Sequence, residues 1–250
     1  MSKTFVVASG KGGTGKTMFA VNAGCMLAQM GYKVCLIDMD MGLRNMDLYL
    51  GLENNVVYDV MDVLKGVCRI KQALIKVKDY PGLSFMAASP KKNDGTVTPL
   101  HMKVLCDKLK TQFDYIIIDS PAGLDDGTEI ALGGADQVLI IINPEIASIR
   151  DSSSVCDEIK DFDSKTQALR GKKAEIKFVL NRVNLKLMKA GFAPKPEMFP
   201  EEVRSNIIGI IEEDENIHIS TNLGTPVINM GETNVYKAFK KIVGRMIKGK

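Results

Sequence analysis

Short apolar runs without alternation punctuate this chain: Thr4 to Ser9, Tyr32 to Ile37, Leu83 to Ala87, Tyr115 to Ile118, Gln137 to Ile142, Ile176 to Leu180 and Asn206 to Ile211. Between them apolar residues recur at helical spacing from Met18 to Met30, near 57–65, 101–112, 126–134 and 148–160, and finally over 233–247. Alternating strands have one wet face. Continuous Val/Ile/Leu runs belong to strands buried on both faces, the pattern of a parallel sheet covered by helices. The predicted fold is therefore α/β: a mostly parallel, doubly wound β-sheet with helices on both faces. No internal repeat or low-complexity linker breaks the pattern, so residues 1–250 are expected to form a single domain. The least regular stretch, 184–202, carries Pro194, Pro196 and Pro200 and reads as a surface excursion.

Gly10-Lys11-Gly12-Gly13-Thr14-Gly15-Lys16-Thr17 lies between the first strand and the first helix. A strand, then G-x-x-x-x-G-K-T, then a helix is the context a phosphate-binding loop requires. Its glycines let the backbone N–H groups turn inward, and the helix N-terminus adds a positive dipole. Lys16 is expected to reach the β- and γ-phosphates of ATP, and the Thr17 hydroxyl to ligate Mg²⁺. Lys11 is not needed for that cradle; on its own it reads as a solvated loop lysine.

Open parallel sheets bind ligands at the carboxyl ends of their strands, where Ser9, Asp38, Asp119 and Asn143 all fall. Four apolar residues ending in Asp119 have the form of a Walker B strand, whose carboxylate holds Mg²⁺ directly or through water. Asp38 and Asp40 form a second acidic pair. Asp40 is expected to position the attacking water and Asp38 to contact the metal shell or the phosphate loop; a turn or N-cap role is the lesser alternative for each. Phosphoryl transfer needs positioning and cations more than covalent help, and no Cys, Ser/His or His/Asp arrangement competes. His101 and His218 are far apart and read as surface residues.

Composition narrows the classes. Hydrophobic residues are 45% and charged residues 25%, ordinary globular usage, and a net charge of +3 is too weak to argue for nucleic acid. No apolar run approaches the ~18 residues of a spanning helix, and Met1-Ser2-Lys3-Thr4 leads straight into a strand, so no signal peptide is expected. Five cysteines without a C-x-x-C point to neither a disulfide framework nor a zinc or iron–sulfur site. The cytosol is the expected compartment.

GKGGTGKT resembles the deviant phosphate loop of the MinD/ParA family of P-loop ATPases. The stretch from Asp38 to Glu53 is similar to switch I of the MinD branch. So are VVYDV at 56–60, QALIK at 72–76, DSPAGLDDG at 119–127, NPEIASIRDS at 143–152, LNRV at 180–183, GIIEEDENI at 209–217 and NLGTPVI at 222–228. The similarity runs in order over nearly the whole chain. It implies Mg-dependent ATP hydrolysis, ATP-dependent homodimerisation and a role in division-site placement. Lys11 becomes the signature lysine that reaches the partner's nucleotide across the dimer, an added cation of the arginine-finger kind. Asp40 and Asn45 are assigned with it to hydrolysis and dimer contacts, Asp119 and Gly123 to switch II, and Asn181 and Arg182 to the adenine; without the family, Asn181 reads equally as a strand-end turn. The resemblance also implies MinC-like and MinE-like regulators and a peripheral place at the inner face of the cell membrane. DNA is not an expected partner.

Two departures follow from the comparison. Met18 stands where the family usually has a second Thr, which removes one hydroxyl contact to the α-phosphate, worth about 0.5–1.5 kcal/mol. The family also continues past its last domain helix into an acidic linker and an amphipathic membrane-targeting helix, whereas Val235 to Lys250 matches the domain helix itself. Tyr236, Phe239, Ile242, Val243, Met246 and Ile247 share one face of it, with Lys237, Lys240, Lys241, Arg245, Lys248 and Lys250 elsewhere. The apolar face is expected to pack on the sheet, leaving the basic end a weak, salt-sensitive contact to anionic lipid. The rival readings are a partition or polar-positioning ATPase of the ParA type, an iron–sulfur carrier or reductase, and a non-hydrolysing nucleotide-dependent scaffold. The missing cysteine pairs argue against the carrier; intact Lys11, Lys16, Thr17, Asp40 and Asp119 argue against the scaffold.

Overall fold

A computed structural model describes residues 2–248 apart from Leu43, Ala122 and Leu124. Lys3–Ala8 forms β1, Lys16–Gln29 α1, Val34–Asp38 β2, Met46–Leu50 α2, Val60–Leu64 α3 and Ile70–Ala73 α4. Ile75–Lys76 forms β3, Leu83–Met86 β4, Pro99–Leu109 α5, Tyr115–Asp119 β5, Asp126–Leu132 α6 and Gln137–Ile142 β6. Ile146–Arg170 forms α7, Glu175–Val183 β7, Leu185–Lys189 α8, Glu201–Arg204 α9, Ile207–Glu212 β8, Glu215–Asn222 α10 and Asn234–Lys248 α11. Single 3₁₀ turns lie at Pro196–Met198 and Val227–Asn229.

The strands form one sheet in the order β3-β4-β2-β5-β1-β6-β7-β8, parallel throughout except for the short antiparallel edge pair β3–β4. Parallel neighbours need crossovers, and the helices that supply them bury both faces of the sheet. Residues within one strand divide between the two layers: Phe5 and Val7 face the side of α1 and α11, Val6 and Ala8 the side of α3, α5, α6 and α7. Helix α1 runs through the core with Met18 to Ala28 buried along its whole length, which is why its sequence is apolar on every face.

Each predicted strand is present, so the α/β reading stands. The differences are physical. Helix α7 runs ten residues past the predicted end at 160, to Arg170. Its buried stripe is Ser152, Cys156, Ile159, Asp163 and Thr166, and the two polar members past 160 mask the helical period. Asp163 is satisfied there by the Arg170 guanidinium and accepts from the Ala174 backbone N–H at 3.1 Å. Helix α10 was not foreseen, although Asp214 caps it by accepting from Asn216 N–H at 2.9 Å. The irregular stretch at 184–202 contains α8, a 3₁₀ turn and the start of α9.

Helix α11 buries Val235, Phe239, Ile242, Val243 and Met246 against the core, with Phe239 stacked near Phe19 at 5.7 Å between ring centroids. Arg245 donates to the Ile208 carbonyl at 2.6 Å. The apolar face is thus packed on the sheet as expected. Lys240, Lys241 and Lys248 are exposed, and Lys250 lies outside the described residues. Among the described residues no helix is long and apolar enough to cross a membrane.

Candidate functional site

The loop between β1 and α1 wraps the α1 N-terminus, with Gly13 at φ 73° and Gly15 at φ 93° in the left-handed region. Gly15 cannot be replaced for a second reason: a Cβ there would sit 2.3 Å from the Asn181 amide nitrogen. Lys16 is buried and its Nζ donates to Ser9 Oγ at 3.0 Å, while Ser9 Oγ donates to the Lys11 carbonyl at 2.7 Å. Burial holds the Lys16 ammonium below the usual lysine range, against the opposing pull of Asp119 and Asp40.

Asp38 and Asp119 end adjacent strands and are register partners in the sheet. Thr17 Oγ1 donates to Asp119 Oδ2 at 2.6 Å. Asp119 Oδ1 is buried and has no hydrogen-bond partner among the described residues. Burial first, and Asp38 second, push the Asp119 carboxyl well above the usual range. Asp38 is pushed up to about 7, mainly by burial. It accepts from Asp40 N–H at 2.9 Å and from Met46 N–H at 3.2 Å. Both its oxygens therefore hold the loop that follows β2, which leaves Thr17 and Asp119 as the oxygen pair with spare capacity. Asp40 is half-buried and its carboxyl is also raised, chiefly by burial. Burial disfavours the charged forms of these three carboxyls beside one lysine, and a divalent cation would favour them. Among the described residues no group of three His, Cys, Asp or Glu forms a metal cage. Magnesium rarely uses one; it takes one or two protein oxygens, substrate phosphates and waters.

Lys16, Thr17 and Asp40 open onto a cavity of about 770 Å³, whose lining does not include the buried Asp38 and Asp119. It is lined by Gly12, Gly13, Gly15, Lys16, Thr17 and Met18 of the loop and α1, by Asp40, Asn45 and Tyr49 from the segment after β2, and by Arg182, Thr221 and Asn222. Of the expected site residues, Gly10 and Thr14 line a smaller recess behind the loop with Lys11, Asn143 and Asp151. There Lys11 Nζ pairs with Asp151 of α7 at 2.5 Å, both side chains about half exposed. Asn45 occupies the position before α2, and Gly123 has φ 89°.

Strand β7 supplies Asn181 and Arg182. A register shift between Leu180 and Val183 bulges the strand and puts Arg182 at φ 56°, strained for a non-glycine residue. Buried Asn181 donates from Nδ2 to the Thr14 carbonyl at 2.7 Å, and its Oδ1 has no partner. The assigned adenine residue is thus also a strut under the phosphate loop. A cavity of about 160 Å³ continues there, lined by Asn181, Arg182, Asp214, Ile217, His218 and Thr221. Tyr49, Asp214, Thr221 and Asn222 were not foreseen. Asp214 carried a readable signal as a capping residue; Tyr49 and Thr221 carried none. His218 is exposed at the rim, and His101 accepts from the Thr98 backbone N–H at 3.1 Å, away from the cleft.

Residues 2–170 match the AAA domain family. Over 248 residues the chain is 39% identical to the septum site-determining protein MinD of Helicobacter pylori, covering 99% of this chain and 91% of that one. Among solved structures, MinD in the MinC:MinD cell division protein complex of Aquifex aeolicus superposes with a TM-score of 0.87 at 34% identity, over 99% of this chain and 96% of that one. MinD of Pyrococcus horikoshii complexed with Mg-ADP gives 0.79 at 26% identity, over 99% and 97%. With identity at this level running from the phosphate loop through the last helix, the chain belongs to the MinD family of septum site-determining cell division ATPases.

Proposed function

We propose that this protein hydrolyses ATP with magnesium, pairs face to face with a second copy while ATP is bound, and uses that cycle as a spatial switch in division-site placement. The observation that carries the reading is the Thr17–Asp119 hydrogen bond with an unpartnered Asp119 oxygen beside buried Lys16. Buried polar atoms left without partners are costly, so this one marks a place for a ligand.

Backbone N–H groups of residues 12–17 and the α1 dipole receive the phosphates, and Lys16 leaves Ser9 to reach them. Thr17 and Asp119 would hold magnesium, which would supply charge neutralisation for the phosphates. Asp40, across the cleft and pushed toward neutrality, takes the position of a group that orients the attacking water, with Asn45 beside it. Asp38 fixes the loop that carries both. Asn181 and Arg182 frame the adenine.

Lys11 would act in the partner's site. Its bond to Asp151 is half exposed, and such pairs are worth about 1 kcal/mol or less, so exchanging Asp151 for a γ-phosphate is favourable. Loss of that phosphate removes the grip and frees the dimer. Exposed Ile146, Phe192 and Met198 line a separate cavity that shares Arg182 with the cleft, and they offer apolar area for pairing. The Aquifex aeolicus relative assembles with MinC, and a MinC-like regulator is assigned here too, with a MinE-like one as the stimulator. The protein is assigned to the cytosol, meeting the inner face of the membrane through the basic outer side of α11.

Phosphate release with magnesium and with EDTA tests the chemistry, and light scattering with a non-hydrolysable ATP analogue tests the switch. Magnesium-dependent turnover and a doubled mass with the analogue but not with ADP are expected. A monomer with the analogue would sink the dimer reading; no turnover would sink the ATPase.

A further inference from the structure

Away from the nucleotide cleft, α3, α4 and the turn between them lie against α5 and leave a groove of about 1000 Å³. Its floor is apolar. Leu100 and Val104 stand one helical turn apart on α5 and are 50% and 44% exposed, facing partly buried Ile70. Met102, Leu105, Cys106 and Leu109 of the same helix are buried, so α5 carries a second apolar stripe beyond the one its core packing uses.

The rim is cationic. Lys65, Arg69, Lys71 and Lys108 line the groove, and no carboxylate does. Lys65 is compensated by Asp94 at 2.9 Å. Arg69, Lys71 and Lys108 have no ion-pair partner among the described residues. The net charge of the whole chain is only +3, so this concentration of one sign is local.

We infer that the groove docks an acidic amphipathic helix of a partner protein, laying apolar side chains spaced i, i+4 over Leu100 and Val104 and carboxylates against Arg69, Lys71 and Lys108. An i, i+4 pair on one helix complements an i, i+4 pair on another, and the cations set orientation and encounter rate more than affinity. A duplex backbone would use the cations but gain nothing from the two exposed aliphatic residues, so the apolar floor favours a protein helix. None of these residues lines the nucleotide cleft, and the site works whether or not ATP is bound.

The protein carries its own reporter. Cys68 lines the groove and is partly exposed, whereas Cys25, Cys35, Cys106 and Cys156 are buried. The probe is a stapled helical peptide of Leu at i, i+4, i+7 and i+11 with Glu elsewhere; a Lys-for-Glu version and a duplex DNA oligomer serve as comparisons. The acidic peptide is expected to bind by fluorescence anisotropy, to slow alkylation of Cys68, and to weaken about tenfold with Leu100→Ser/Val104→Ser and again with Arg69→Glu/Lys108→Glu. Both double variants should keep wild-type ATP turnover, which shows that they fold. Binding that leaves Cys68 unprotected, or that survives both double variants, overturns the site. Preference for DNA with no loss on Leu100→Ser/Val104→Ser assigns the groove to nucleic acid and overturns the protein partner. No binding of the acidic peptide at millimolar concentration overturns the proposal outright.

Discussion

The two ends of the nucleotide cleft are built in opposite ways. The phosphate end is built around one local segment: residues 9–17 supply the loop, its lysine and the start of α1, and the ends of β2 and β5 bring Asp38, Asp40 and Asp119 to it, with Asp119 meeting Thr17. The base end is assembled from a bulge in β7, the cap of α10 and a tyrosine on α2, brought together by the sheet order. The phosphate end concentrates buried charge, with Asp38, Asp40 and Asp119 all raised above their ordinary values. Non-glycine residues with positive φ occur at both ends, Arg182 at 56° in the base end and Arg44 at 45° in the loop after β2. On the proposed reading, the first end receives a cation and an anion and the second receives a neutral ring.

The widest separation of the two ends should come from Asp40→Ala. It removes a half-buried carboxylate that makes no side-chain hydrogen bond among the described residues. Turnover is expected to fall about 10²–10⁴-fold, the span for losing a positioned acid–base group. ATP affinity should change little, since no phosphate contact is lost. Single-turnover hydrolysis with equilibrium titration reads both. If affinity collapsed while the rate per bound nucleotide held, Asp40 would be part of the cradle.

The buried charge of the phosphate end has a signature in stability. Asp38 rises from 3.8 in the unfolded chain to about 7 in the fold. Below about pH 4 both states are protonated and nothing is lost. Between there and about 7 the unfolded chain releases the proton while the folded one keeps it, so stability falls as pH rises; above that the loss is complete. Asp38 and Asp119 titrate as one interacting pair. Asp38→Asn should reduce this slope in urea titrations of the nucleotide-free protein, leaving the part that Asp119 contributes. The variant also disturbs the bonds to Asp40 and Met46, but that cost is an offset independent of pH. An unchanged slope would show that the charge is already neutralised.

What could be read without coordinates divides along the same line. The Gly10–Thr17 loop and Asp119 were legible because backbone geometry and a strand end dictate their residue types within a few positions. Asn181 could be named only through family resemblance, and its bond to Thr14 joins residues far apart in sequence, which no local pattern encodes. Tyr49 and Thr221 were invisible for that reason. The second half of α7 was missed because Asp163 and Thr166 occupy buried positions where a period search looks for hydrocarbon. The parallel sheet was legible throughout, since burial on both faces writes itself as uninterrupted Val, Ile and Leu.

Asn181→Ala probes the single strut between the two ends. It deletes the 2.7 Å bond to the Thr14 carbonyl and relaxes the wall against Gly15. Loss of about tenfold in affinity is expected, the value of one buried hydrogen bond. The strut holds the loop rather than the γ-phosphate, so ADP and a non-hydrolysable ATP analogue should weaken equally in calorimetric titration. A loss confined to the triphosphate would place Asn181 in the dimer-linked step instead.

The smallest effect separates strain from contact at Arg182. Its φ of 56° costs an L-residue about 1 kcal/mol or more, and glycine adopts that conformation freely. Arg182→Ala removes the guanidinium but keeps the strain; Arg182→Gly removes both. Each should weaken ATP binding by a similar few-fold factor, because each loses the same cavity wall. Only the glycine variant should be relieved in the folded state, offset in part by the greater entropy of its unfolded chain. Urea denaturation is therefore expected to rank Arg182→Gly above Arg182→Ala by a few tenths to about 1 kcal/mol. If alanine were the more stable of the two, the bulge would not be a store of strain, and the shape of the base end would have to come from α10 and Tyr49 alone.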